Sequence, residues 1–376
     1  MKSTVAVLKT TPRTVLADYG RLMRLAGYQE FLPPGKQTFL KVNLEWQEWY
    51  PSASTEPWQL DGVIRAMIED GYLPQAISVA SGRAPGPRPE SAEEQNGLTS
   101  AAARHDIGFT RWKAKLDDWV QFAPEAEMMI LDRLAGEGDI LVPGAFLGNN
   151  IVHLPTLKTH ALTVIGGSAM SCFNALLDDQ WHKTGIHRLL VDLLALQKEL
   201  CGGVFTVSDG TISGDGPGPC LLVPYVKDYI IAGADPVAVD AVAARMMGFN
   251  PMEIDYIRMA TERGVGNGEI SEIDLTGDGI AGVDFRFGGG RRRMMPMPAL
   301  LREYYWYPFR GRRHVGRIAE TGWGQLLQEY LPEGAGLDVQ GKGKGPLMAM
   351  MGAGALFGLS AARWMARLAR RGAWPV

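Results

Sequence analysis

Cysteine is scarce. Cys172, Cys201 and Cys220 are the three in 376 residues, and no two of them form a C-x-x-C pair. That spacing excludes a ferredoxin-type iron–sulfur module, or a zinc ribbon, built from this chain's own thiols. A sparse, odd count without a secretory leader points to a reducing compartment. The opening MKSTVAVLKTTP reads as a short strand and not as a charged-then-apolar leader, so a cytoplasmic location is expected. Net charge is small, −3 at pH 7, and gives no overall attraction to nucleic acid.

Several chemical signatures are also missing. There is no Gly-x-Ser-x-Gly nucleophile elbow. Gly341-Lys342-Gly343-Lys344-Gly345 lacks the spacing and the hydroxyl of a P-loop, and Asp274-Leu275-Thr276-Gly277-Asp278-Gly279 lacks the later glutamate of an EF-hand, so it reads as a turn. His182 and His187 are five apart, not the four that would place two zinc ligands on one helical face. Gly214, Gly216 and Gly218 fail as a dinucleotide fingerprint because Pro217 and Pro219 interrupt them and no helix opens behind them.

What is present is an ordinary globular composition, 46% hydrophobic and 21% charged, in a chain long enough for one large domain with appendages. Short apolar runs at residues 5–8, 39–42, 76–80, 139–142, 150–154, 204–208 and 229–232 read as strands, and their continuous apolarity suits burial on both faces. Helical spacing appears at residues 15–26, 58–68, 186–200 and 236–247. Asp235 as N-cap, Pro236 at the first helical position and Gly248 as the left-handed stop frame the last of these. Residues 82–97, rich in Pro, Gly, Glu and Ser, read as a loop. The alternation predicts an α/β fold: a mostly parallel or mixed sheet with helices on both faces, plus a C-terminal basic/aromatic extension and a terminal helix. Expected boundaries are 1–285 for the core, 286–345 for the extension and linker, and 346–371 for the helix.

Ligands in such sheets bind beyond the carboxyl ends of strands. Two segments fit. In IVHLPTLKTH the strand is expected to end at Pro155, leaving Lys158, Thr159 and His160 in a loop, where a cation, a hydroxyl and an imidazole can hold an anion or pass a proton. The following Gly166 and Gly167 offer unobstructed backbone N–H groups, a usual cradle for phosphate or carboxylate. The second segment runs from Asp209-Gly210 through Asp215-Gly216, read as a rigid loop. Its carboxylates, with Asp240, are candidates for a divalent metal of the magnesium type. Lys158, His160 and Asp209 are the expected catalytic centre.

The order of these motifs resembles the family catalogued as domain of unknown function (DUF) 362. The matching pieces are Phe39-Leu40-Lys41-Val42-Asn43-Leu44, Ser54-Thr55-Glu56-Pro57, His153 to His160, Ser208-Asp209-Gly210 leading to Gly216-Pro217, and Ala232 to Asp240. The resemblance implies that Lys41, Asn43, Lys158, His160, Asp209, Asp235 and Asp240 belong to a common site. It also marks a departure: family members commonly carry a lysine–asparagine pair where this chain has Met170-Ser171, so one pocket cation is expected to be absent.

The last stretch differs in character. Between Arg286 and Arg317 nine arginines, with Tyr304-Tyr305-Trp306-Tyr307 among them, face a single acid, Glu303. Arginine mixed with Trp and Tyr suits a membrane–water interface and also nucleic acid, and the apolar run that follows favours membrane. Residues 346–362 carry no charge, but at 1.5 Å per residue they reach only about 25 Å, short of a ~30 Å hydrocarbon core. Arg363, Arg367, Arg370 and Arg371 follow. Peripheral attachment to the inner face of the membrane through 286–371 is expected. Two functions follow: an enzyme acting on a small anionic or polar molecule, or a non-catalytic cofactor- or metal-binding accessory protein of a membrane-associated redox complex. A homo-oligomer or a redox partner would suit either.

Overall fold

The computed structural model describes residues 2–81, 89–111, 118–135, 140–176, 185–219, 222–288, 311 and 313–332. The tyrosine/tryptophan cluster at 304–307, the apolar run at 346–362 and the arginines after it lie outside these residues, as does Cys220.

A ten-stranded mixed sheet organises the chain. Its strands are β1 (Ser3–Lys9), β2 (Thr38–Val42), β3 (Ile77–Ser81), β4 (Phe109–Thr110), β7 (Asn150–Leu154), β8 (Thr156–His160), β9 (Val164–Gly166), β10 (Gly203–Asp215), β11 (Val223–Gly233) and β12 (Ile273–Gly277). The path runs β12-β1-β11-β10-β7-β2-β3-β4, with β8 pairing β10 and β9. The β4-β3-β2-β7-β10 half is parallel, while β11 runs antiparallel to both β10 and β1. β5 (Trp119–Phe122) and β6 (Ile140–Pro143) form a separate antiparallel pair.

Helices cover both faces, as the continuous apolar strands require. On one face α1 (Val15–Leu25), α3 (Pro57–Glu69), α5 (Leu98–Ala103) and α11 (Gly322–Gln328) share a core with Val42, Val152, Phe205 and Ile230. The other face is covered by α7 (Ser168–Leu176), α8 (Ile186–Leu200), α9 (Pro236–Met247) and α10 (Asp255–Glu262), packed on Phe39, Ile151 and Ile231. The short helices α2 (Tyr28–Phe31), α4 (Pro89–Gln95) and α6 (Leu131–Ala135) complete the set used below.

Four sequence expectations change. Residues 156–160 are not a loop: T-L-K-T-H alternates at period two and forms β8, every residue of it buried. Asp209 to Asp215 is not a loop either, because β10 continues through it across an irregularity between Gly210 and Ile212. The stretch 82–97 contains α4, and residues 274–277 lie in β12, not a turn. Residues 313–332 pack on the body: Trp323 lies against Trp58 with ring planes tilted by 38° and centroids 5.3 Å apart, and the Tyr330 hydroxyl donates to Asp61 at 2.8 Å. Trp323, Leu326, Leu327 and Tyr330 are among the buried residues of the α1/α3 face.

Candidate functional site

β2 and β7 end together, and the chain leaving β2 (residues 43–56) folds back over that end. Asn43 N–H donates to Thr55 Oγ1 at 2.8 Å, and the Thr55 hydroxyl donates to Leu154 O at 2.6 Å. This covering loop turns sharply at Ser52, a non-glycine residue at φ 68°. Against it lies β8. Thr156, Lys158 and His160 alternate along one side of that strand.

The Lys158 ammonium donates to Ala53 O at 2.5 Å, Ser52 O at 3.4 Å and Thr156 Oγ1 at 2.9 Å. Its charge is thus held in place under the covering loop and is not solvated. Glu56 neighbours it, accepting from Trp49 Nε1 at 2.7 Å and Ser52 N–H at 3.1 Å. Burial, reinforced by nearby Asp209, pushes the Glu56 carboxyl up to about 8. Asp209 accepts four hydrogen bonds, from Tyr19 OH (2.5 Å), Trp58 Nε1 (3.0 Å), Thr211 N–H (2.9 Å) and Thr211 OH (2.7 Å). Burial raises its carboxyl above the usual range, and these donors offset only part of that.

His160 has a different role. The backbone N–H groups of Leu162 and Thr163 both point to its Nδ1 at 3.3 Å, and the Thr163 hydroxyl lies 2.8 Å away. The two backbone donors aimed at Nδ1 favour the neutral ring protonated on Nε2, while the Thr163 hydroxyl spends its own proton on Ile165 O at 2.8 Å. Among the described residues Nε2 has no hydrogen-bond partner. Burial, then Lys158 and His187, lowers the imidazole to about 3. The turn that delivers these donors forces Val164 to φ 67°, a strained value for a β-branched residue. His187, at the start of α8, stacks on Tyr256 with centroids 6.1 Å apart and accepts from its backbone N–H at 3.2 Å.

After Gly166 and Gly167 backbone donors do gather, but they belong to the next two residues and their anion is the protein's own. Ser168 N–H and Ala169 N–H, at the start of α7, donate to the Asp240 carboxylate at 2.7 and 3.0 Å, and Tyr256 OH donates to it at 2.9 Å. Burial raises Asp240 to about 6 against these three donors. A side chain at Gly167 would place its Cβ 2.2 Å from Asp240 Oδ1. Gly166 backs onto Lys158, whose Cγ would lie 3.5 Å from an added Cβ.

Lys41 and Asn43 enter a second polar group on the α7/α8 face. Lys41 Nζ donates to Asn43 Oδ1. Gln197 Nε2 donates to His153 Nε2 at 2.7 Å, which places the His153 proton on Nδ1, 3.2 Å from Ser171 Oγ. The Ser171 hydroxyl donates in turn to Asn43 Oδ1 at 3.4 Å. Ser171, one of the two departures from the family pattern, therefore links two motif residues. Burial and Lys41 lower His153 to about 3.

The remaining sequence candidates are dispersed. Asp235 caps α9 through Val237 N–H (2.9 Å) and also accepts from Ser3 OH (2.6 Å) and Asn267 N–H (2.9 Å). The Thr159 hydroxyl and Gly216 are bonded to each other, anchoring the 216–219 segment. Gly210 is packed under Leu157. Asp209 sits on the α1/α3 face, Asp240 on the α7/α9 face and Asp215 at the far end of β10, so the three carboxylates do not converge. Among the described residues no group of three His, Cys, Asp or Glu is arranged to hold a metal. Nor is any described helix long and apolar enough to cross a membrane. Sequence reasoning missed Glu56, Thr163 and His187 as neighbours of Lys158 and His160. Only the tight histidine-to-valine return could have signalled Thr163.

The family model described as "Domain of unknown function (DUF362)" matches residues 38–245. No curated protein matches the chain. Among solved structures, a structural-genomics crystal structure of a Thermotoga maritima protein is similar at 12% identity and a TM-score of 0.35, over 67% of this chain and 59% of that one.

Proposed function

This chain belongs to the DUF362 family, and we propose that within that fold it binds a small anionic or polar molecule at His160, in the positive field of Lys158. What carries the reading is the paired backbone donation to His160 Nδ1, which leaves an Nε2–H donor without a protein partner among the described residues. With its imidazole lowered to about 3, His160 is neutral near pH 7. It then acts as a hydrogen-bond donor and not as a proton shuttle. Lys158 supplies charge, because Glu56 beside it keeps its proton when pushed up to about 8. An anion against Nε2 would gain from both.

Binding without turnover is favoured over catalysis. Asp209 and Asp240 spend their acceptor capacity on Tyr19, Trp58, Thr211, Ser168, Ala169 and Tyr256, so neither serves a ligand as a base. The test is a thermal-shift series with phosphate, acetate and citrate on the wild type and His160→Ala. At least one anion raises the melting temperature of the wild type and leaves the variant unmoved. Equal shifts in both proteins would end the proposal.

Attachment to the membrane surface is a second, separate part of the reading. The arginine/aromatic segment 286–317 and the basic tail support it through sequence alone. Flotation on anionic vesicles of the full chain against a chain ending at Pro332 tests the tail without uncovering Trp58. Equal flotation removes the tail from the account.

A further inference from the structure

We propose that a cleft between α8, α10 and the segment 127–133 is a binding site for a soluble phosphorylated molecule carrying at least two negative charges. It is separate from the His160 site and does not rest on that reading. The cleft, open to solvent, spans about 420 Å³, and Arg133, Arg188, Arg258 and Arg263 line it with Glu127, Glu262 and three methionines, Met128, Met129 and Met259. Among the lining residues four guanidiniums meet two carboxylates, and the further carboxylates nearby, Asp255, Asp192 and Glu199, are engaged by Arg258 and by the backbone of the 125–131 wall.

The arginines are not equivalent. Arg258 is shared between Glu262 at 3.0 Å and Asp255 at 3.5 Å. Arg263 donates to the Glu127 carbonyl at 2.7 Å, tying α10 to the facing wall. Arg133 and Arg188 are exposed and make no ion pair among the described residues, so their planar donor forks face the cleft uncommitted. Two guanidiniums from different elements suit two phosphoryl groups held bidentately.

The walls are preset. Five backbone N–H groups of the 125–131 segment are held by two carboxylates of α8: Glu125 and Ala126 donate to Glu199 at 2.7 and 2.8 Å. Met129, Ile130 and Leu131 donate to Asp192 at 2.7, 2.8 and 2.9 Å. Little ordering cost remains for a ligand to meet. The methionines add a polarizable apolar floor for the organic body of the molecule. A volume of this size falls in the range of small-molecule sites, about 300–1,000 Å³.

Calorimetric titration of the full chain with inorganic pyrophosphate and with ATP tests the site, using Arg133→Ala/Arg188→Ala and, as control, Arg65→Ala on the opposite face of the sheet. Both changed arginines are exposed, so urea midpoints should match the wild type and confirm folding. Expected are binding to the wild type, a loss of at least tenfold in the double variant, and no change in the control or in His160→Ala. Undiminished binding in the double variant, or no binding of either probe at millimolar concentration, would overturn the proposal. Vesicle capture lost specifically in the double variant, with neither probe bound, would overturn it too, since the source would then be a lipid headgroup.

Discussion

Gly167→Ala makes the sharpest demand on the structure. An added Cβ would stand 2.2 Å from Asp240 Oδ1 and 2.9 Å from Asp240 Cγ, and no rotation of so short a side chain keeps its bonds. The carboxylate must leave Ser168 N–H and Ala169 N–H, the two donors that open α7. Hydrogen bonds to a charged group contribute roughly 1.5–3 kcal/mol each, and a lost cap costs about 0.5–2 kcal/mol. The lost cap is these same two bonds, so at the lower figure they give an expected loss of about 3 kcal/mol. Urea unfolding followed by circular dichroism at pH 7, with an unchanged slope, measures it. Asp240→Ala removes the same bonds without a clash, so the two substitutions together should cost little more than either alone. The cycle should return a coupling of at least ~1.5 kcal/mol. Additivity within ~0.5 kcal/mol, the range for independent sites, would refute the cradle.

Other expectations follow from the same contacts. Tyr19→Phe removes one of four donors to buried Asp209 and should cost about 1–3 kcal/mol in urea unfolding, with no effect if that bond is absent. Glu56 is raised from the usual 4.5 to about 8 in the folded chain. The native state then holds more protons across that window, and stability falls as pH rises through it. Glu56→Gln should flatten that part of the profile, and an unchanged slope would count against it. His153 has the opposite sign: lowered from 6.5 to about 3, it leaves stability complete above 6.5 and lost as pH falls toward 3. His153→Gln should reduce acid sensitivity in that range. Trp323→Ala should cost roughly 3–5 kcal/mol, as for a buried aromatic, since it opens the contact with Trp58. A neutral result would detach α11 from the core.

The fold was legible where one element declares itself. Residues 186–200 and 236–247 emerge as helices at the expected limits, because apolar spacing, Asp235, Pro236 and Gly248 all act locally. The doubly covered strands were legible for the same reason. β8 was not, since its lysine and histidine read as solvent-facing until the 43–56 segment is folded over them. The site was legible in its residue types more than in its partners. The sequence signalled an anion at the Gly166–Gly167 turn, but nothing local says that the anion is Asp240, some 70 residues on. Likewise, nothing local says that Asp209 will accept from Tyr19 and Trp58, which two separate helices bring to it. Long-range pairing decides whether a polar side chain at a strand end is offered to a ligand or kept by the scaffold.

The protonation of His160 tests the account most directly. Nitrogen-15 NMR of the ring across a pH series should show a neutral imidazole with its proton on Nε2 down to pH 4, and a rise in its titration midpoint when a binding anion is added. A proton on Nδ1, or titration near the ordinary 6.5 without any anion, would contradict it.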